Sequence, residues 1–156
     1  MKLFLLGIIS DTHGLLRREA LSALKGCQAI IHAGDVGSPA ILDQLKAVAP
    51  VFAVRGNVDT EPWTSSLPLT AVVELQNVSI YVLHNLGQLD LNPKTAGFHI
   101  VVSGHTHKPE SHWHDDVLYI NPGSAGPKRF HLPITVAGLQ LHQTPWQPEL
   151  LHLPVP

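Results

Sequence analysis

In the first third of the chain, three short apolar runs at 3–10, 29–33 and 51–54 alternate with helical patterns, and that alternation constrains the fold more than any other feature. The runs are rich in Ile and Val, the pattern of strands covered on both faces. Between the first two, Leu16, Ala20, Leu21 and Leu24 recur on one face of a helix predicted over 15–25, with Arg17, Arg18 and Glu19 turned to solvent. Gly26 offers its stop. Ser38 before Pro39 reads as an N-cap with proline in the first turn, and Ile41, Leu45 and Val48 carry a second helix towards Pro50. The order β-α-β-α-β calls for a parallel sheet with its ligand crevice at the carboxyl ends of the strands.

The remainder changes character. Runs at 70–75, 78–83, 99–103, 117–121 and 134–141 read as strands with few helices between them, and Asn77 sits where a tight turn joins the first pair. A second sheet, mixed or antiparallel, is expected to pack on the first. The expected class is therefore α/β (α+β), two packed mixed sheets in a sandwich flanked by helices, as a single domain over 1–156. Pro145, Pro148, Pro154 and Pro156 limit the end of the chain to an edge strand and a loose tail.

Composition excludes several function classes. With 156 residues, 44% of them hydrophobic, there is enough apolar material for one packed domain and no case for a disordered or fibrous chain. A formal charge of -2 provides no basic field for a long nucleic acid. No apolar run approaches the ~18–20 residues needed to cross a bilayer. The opening from Met1-Lys2 to Ile9 imitates a short export signal, but no small-residue cleavage site follows before Asp11, so a buried first strand is the expectation. The lone Cys27 fits a reducing compartment, and the cytoplasm is expected. The unusual count is 11 histidines against 2 tyrosines and 1 methionine.

Several residues of metal-ligand type stand where apolar runs end. Asp11-Thr12-His13-Gly14 follows the first run and Gly34-Asp35 the second. Gly56-Asn57-Val58-Asp59 closes the third, His84 a fourth, and Gly104-His105-Thr106-His107 follows the run at 99–103. Each alone has an ordinary structural reading as a helix cap, a turn residue or a core-edge histidine. Their coincidence on one sheet edge is the stronger observation. Two carboxylates there repel unless a cation sits between them, and imidazole with carboxylate suits borderline divalent metals. Seven ligands exceed one four-coordinate ion and suffice for two that share a carboxylate, the arrangement of a dinuclear hydrolytic centre. His32 reads as a core histidine, and His112, Trp113 and His114 as part of an exposed hairpin.

The set D-x-H, G-D, G-N-x-D, a strand-end His and G-H-T-H resembles the calcineurin-like metallophosphoesterase superfamily, in the order of its small bacterial and archaeal phosphodiesterase branch, over about residues 3–129. The resemblance implies a metallo-dependent phosphatase-like sandwich. It also implies that Asp11, His13 and His107 hold one ion, that Asn57, His84 and His105 hold the other, and that Asp35 bridges. Asn121-Pro122-Gly123-Ser124, with Pro127 and Arg129, looks like a later family turn where Arg129 meets phosphate. Val58 stands where larger members carry a histidine proton donor, and Asn85-Leu86-Gly87 departs from the Gly-His pair common after the strand-end ligand.

The function this implies is hydrolysis of a phosphate ester, a phosphodiester in first place, by hydroxide formed on two divalent ions. Manganese is the first choice of ion, with Fe, Zn, Ni or Co as others. Counting +4 from the ions, -2 from Asp11 and Asp35 and -1 from hydroxide leaves +1, which a diester monoanion neutralises. A monoester dianion would need Arg55 or Arg129 to compensate. Asp59 is expected either to orient an imidazole ligand or to serve as a turn carboxylate. The expected partner is a small phosphate ester, with no long nucleic acid, no membrane and room for a homo-oligomer. The alternative is an inert protein-binding scaffold, like the retromer subunit of this fold.

Overall fold

A computed structural model of the chain describes residues 3–155. Met1 and Lys2, the charged opening considered for an export signal, and Pro156, the last proline of the tail, lie outside the described residues. In chain order the elements are β1 (Leu5–Ile9), α1 (Arg18–Leu24), β2 (Ala29–His32), α2 (Pro39–Lys46), β3 (Val51–Ala53), β4 (Thr70–Leu75), β5 (Val78–Leu83), α3 (Pro93–Ala96), β6 (Ile100–Val102), β7 (Glu110–His114), β8 (Val117–Asn121), β9 (Thr135–Gln140) and β10 (Glu149–His152). Short 3-10 turns cover Pro62–Ser66 and Leu86–Gln88.

The strands form two five-stranded sheets, β10-β9-β1-β2-β3 and β4-β5-β6-β8-β7. Both are mixed, and both are built on three parallel strands: β1, β2 and β3 in one, β5, β6 and β8 in the other. Alternation along each strand divides the apolar residues between faces. Leu6, Ile8 and Ile31 of the first sheet meet Ile80, Val82, Ile100, Val102, Leu118 and Ile120 of the second in the central core. Ile9, Ile30 and Val136 turn the other way, under Ala20 and Leu24 of α1 and Ile41 and Leu45 of α2. The outer face of the second sheet is closed by Tyr81, Leu83, Val101 and Val117 beneath Leu86, Leu89, Leu91 and Phe98. Among the described residues, no helix is long and apolar enough to cross a membrane.

Three local expectations need correction. The run at 134–141 belongs to the first sheet rather than the second: β9 pairs antiparallel with β1, and both sheets are mixed, as the expected class has them. A strand's partner across the chain is a long-range choice that its own apolar pattern does not encode. The first helix is shorter than 15–25, because Arg17 is already extended (φ -71°, ψ 145°). Arg17 is also not a freely solvated helix residue: its Nε and Nη2 donate to the Gly126 carbonyl at 3.3 and 3.2 Å. The exposed hairpin expected at His112, Trp113 and His114 is formed by β7 and β8, and every residue of β7 is exposed, so that strand carries no apolar alternation. The turn at Gln76-Asn77, with φ of 52° and 64°, is the tight hairpin connection expected there. The proline-rich end supplies β10 as an edge strand.

Ile80 is fully buried at the middle of the inter-sheet core, whereas Val72 on the edge strand β4 is 59% exposed. Ile80→Ala is expected to cost about 2–5 kcal/mol. Val72→Ser is expected to stay within about 0.5 kcal/mol. Urea unfolding of the two variants checks the contrast.

Candidate metal centre

Because β1, β2, β3, β5 and β6 all run in parallel sets, their carboxyl ends deliver five loops to one edge of the sandwich. Asp11 and His13 follow β1, Asp35 follows β2, Asn57 follows β3, His84 follows β5, and His105 and His107 follow β6. Asp11, His13, Asp35, His105 and His107 all have φ between 48° and 71°. A left-handed residue reverses the chain sharply as it leaves the strand, at a cost of about 1–3 kcal/mol each. Five such residues in one cluster mark a place where geometry is held against local preference.

The side chains converge on two carboxylate oxygens. Asp11 Oδ1 lies 3.3 Å from His107 Nε2, 3.7 Å from His13 Nε2 and 3.8 Å from His84 Nε2. Asp35 Oδ2 lies 3.1 Å from His84 Nε2 and 3.7 Å from His13 Nε2. Two ligand sets result, Asp11 with His13 and His107, and Asp11 with Asp35 and His84. The first matches the trio expected for one ion. In the second, Asp11 stands beside Asp35, and each carboxylate faces imidazoles from both sets. His105 and Asn57 lie at the rim: His105 Nδ1 is 3.2 Å from Asn57 Oδ1, and the rings of His105 and His84 are 5.2 Å apart.

The other oxygen of each carboxylate is already committed. Ser10 Oγ donates to Asp11 Oδ2 at 2.7 Å, and the His105 amide donates to it at 3.0 Å. The Val58 amide donates to Asp35 Oδ1 at 3.0 Å. Burial pushes both acids up, but contacts from His107, His13 and Ser10 outweigh it at Asp11 and hold that carboxyl far below the usual carboxylate range. At Asp35 burial is likewise outweighed, by His84 and the Val58 N–H, and the acid is lowered.

These donors fit divalent cations. Asp11 Oδ1 and His84 Nε2 are buried without hydrogen-bond partners among the described residues. His84 Nδ1 lies 2.7 Å from the Ala33 carbonyl and spends its proton there, so in the neutral ring Nε2 presents a lone pair to two carboxylates. Burial pushes the imidazole down, but Asp35 and Asp11 outweigh it and raise its pKa. Lone pair against anion is repulsive until a cation or a proton intervenes. The backbone is shaped to the same end. A Cβ on Gly56 would stand 2.1 Å from Asp35 Oδ1, and one on Gly104 would stand 2.7 Å from Asp11 Oδ2.

Two predicted site residues make no hydrogen bond or ion pair with the cluster's carboxylates or imidazoles among the described residues. Asp59 orients no imidazole: its carboxylate accepts from the amides of Val36, Gly37 and Gly56 at 3.1, 3.2 and 2.9 Å, and so ties the Asp35 loop to the Asn57 loop. Arg129 lies in an exposed stretch, and its side chain makes no hydrogen bond or ion pair among the described residues. Three further residues brace the cluster: Ser10, which carries no motif, His32, a buried core histidine as expected, and Asn121, expected only as part of a later turn. Asn121 Nδ2 donates to the Gly104 carbonyl and to Thr106 Oγ1, each at 3.0 Å, holding the G-H-T-H loop. Its place after a buried strand run was the available signal.

His32 is part of a closed relay. The Gly34 amide donates to His32 Nδ1 at 3.1 Å, so Nε2 carries the proton and faces Thr12 Oγ1 at 3.0 Å, while Thr12 Oγ1 donates to the Val36 carbonyl at 2.8 Å.

A family model, the calcineurin-like phosphoesterase superfamily domain, matches residues 4–144, and the chain belongs to that family. Among curated relatives, a probable metallophosphoesterase of Methanocaldococcus jannaschii is 36% identical over 133 residues, covering 77% of this chain and 67% of that protein. A solved structure described as a novel archaeal phosphodiesterase superposes with a TM-score of 0.80 at 25% identity, covering 95% of this chain and 100% of that one. Vacuolar protein sorting 29 from Cryptosporidium parvum superposes with a TM-score of 0.76 at 19% identity, covering 96% of this chain and 98% of that one, a likeness of fold. Family membership implies divalent metal ions, and the two ligand sets are groups able to hold them.

The relay at His32 makes a pH prediction. Complete burial pushes its imidazole down from 6.5 to about 4. Between those values the unfolded chain binds a proton that the folded chain refuses, so stability falls as pH falls through the window. Below about 4 the loss is complete, at about 3 kcal/mol for this group. Denaturant midpoints at pH 7 and 4.5 should drop more for the wild type than for His32→Gln.

Proposed function

We propose that the chain is a metal-dependent phosphodiesterase working with a pair of divalent ions, manganese first among them, on a small phosphate ester. The observation that carries this reading is the meeting of Asp11 Oδ1, Asp35 Oδ2 and the Nε2 atoms of His13, His84 and His107 in one largely buried cluster. When bound, such ions act as Lewis acids on a phosphoryl oxygen and acidify water. Asp11, His13 and His107 would hold one. Asp35 and His84, beside Asp11, would hold the other, with Asn57 and His105 at its rim.

The chain's own residues define the rest. Ser10 and the His105 amide keep Asp11 turned inward, and the Val58 amide does the same for Asp35. The two carboxylates contribute -2, so a pair of divalent ions leaves a positive surplus that favours an anionic ester. Asp59 and Asn121 keep the loops in place without reaching the reacting atoms. Val58, 49% exposed, supplies no proton where larger relatives have a histidine, which favours esters with good leaving groups. The single buried thiol, Cys27, supports placing the enzyme in the reducing cytoplasm. The protein-binding alternative draws on the likeness of fold to vacuolar protein sorting 29. The full complement of ligand-type side chains weighs towards the enzyme.

The test is hydrolysis of bis-p-nitrophenyl phosphate by metal-stripped protein to which Mn, Ni, Co, Zn or Mg is returned. Turnover restored by at least one ion is expected. Asp35→Asn and His107→Ala should each lower kcat/KM by about hundredfold or more, since even groups that only orient a ligand are worth ~10–100-fold. Their unfolding midpoints should move little by comparison. Folded protein that turns over with none of the ions contradicts the enzyme reading and favours the scaffold.

A further inference from the structure

On the flank of the cluster where Asn57 and His84 sit, a cavity of 570 Å³ opens between the end of β5 and the loop after β3. That volume is in the range of organic ligands of nucleoside size and far beyond what a phosphate needs. Its wall is held by the Arg55 amide, which donates to the Pro68 carbonyl at 2.8 Å. Leu69, Tyr81 and Leu83 make the larger part of the lining apolar, and Arg55, Asn57, Asn85, Gln88 and Asp90 are among the polar groups set into it.

The donor balance of these groups is informative. Arg55 Nε is buried without a hydrogen-bond partner, and Arg55 forms no ion pair among the described residues, with Asp90 or any other acid. Asn85 already uses Oδ1 to accept from the Gly87 amide, and Asn57 Oδ1 faces His105, so each offers the cavity its NH₂ group. One guanidinium and two amide NH₂ groups face a space with Asp90 as its one carboxylate. The preferred occupant carries several acceptors, with a donor for Asp90. An alkyl chain there would leave the buried Arg55 Nε–H unpaired, which is costly.

We propose that this cavity binds one organic arm of the ester and selects an arm of nucleoside size, rich in hydrogen-bond acceptors, over a small alkyl arm. This rests on the phosphodiesterase reading for the position of the phosphate. The experiment compares thymidine 5′-p-nitrophenyl phosphate with methyl p-nitrophenyl phosphate on the manganese-supplied protein. Both release p-nitrophenolate, so the ratio of their kcat/KM values reports the other arm alone. The thymidine ester should be favoured by about tenfold or more, the worth of one good hydrogen bond. Thr70→Trp, at the exposed rim, and Gln88→Leu should bring the ratio towards unity. An active enzyme with a ratio within about twofold of one, or a ratio unmoved by both variants, overturns the subsite and leaves the phosphodiesterase reading intact. Should no ion support hydrolysis of either ester, that reading fails, and calorimetry with thymidine 5′-monophosphate decides the subsite. Binding that Thr70→Trp weakens upholds it, and absent or unaltered binding overturns it.

Discussion

Asp11 and Asp35 are buried carboxylates that share imidazole neighbours, and each has one oxygen tied to donors and one aimed inward. Everything else at this edge of the molecule serves that division. Ser10 Oγ and the His105 amide occupy Asp11 Oδ2, and the Val58 amide occupies Asp35 Oδ1, so the free oxygens face His13, His84 and His107. Such an arrangement is electrostatically expensive on its own. It persists because the two sheets, each with a parallel core, bring rigid strand ends to the same edge, and because Asp59 and Asn121 lock the intervening loops. The left-handed backbone at five of these positions adds to the cost, and both costs fall where cation binding is part of the native state.

Much of this could be read from the amino acids, for local reasons. The three parallel strands of the first sheet announce themselves as Ile/Val runs, and Ser38-Pro39 announces α2, whose start the side chain of Ser38 caps at the Ala40 amide. The ligand-type residues were visible because each immediately follows a run, so placing the strand placed the residue. What was hidden depended on partners distant in sequence. β9 joins the first sheet by pairing with β1, about a chain length away, and nothing within residues 134–141 specifies that partner. β7 is exposed on both faces and leaves no apolar signature.

Residue roles followed the same division. Asp59 looked able to orient a ligand because it lies two residues from Asn57, yet its geometry spends it on three backbone amides. Ser10 carried no motif of its own and proves to set which oxygen of Asp11 is free. Asp35, expected to bridge, faces His13 of one ligand set and His84 of the other, and Asp11 belongs to both sets, with its Oδ1 within 3.8 Å of all three imidazoles. Spacing along the chain indicates which side chains reach an edge, while the hydrogen bonds across the edge decide which atoms of those side chains remain available.

The most direct test of the central claim is an anomalous-scattering map from crystals of the protein grown with manganese. The account predicts two peaks about 3.5–4 Å apart, one bordered by His13 and His107, the other by His84 and Asp35, with Asp11 between. Manganese found only at the exposed His112 and His114 of β7, with no density against Asp11, would contradict it.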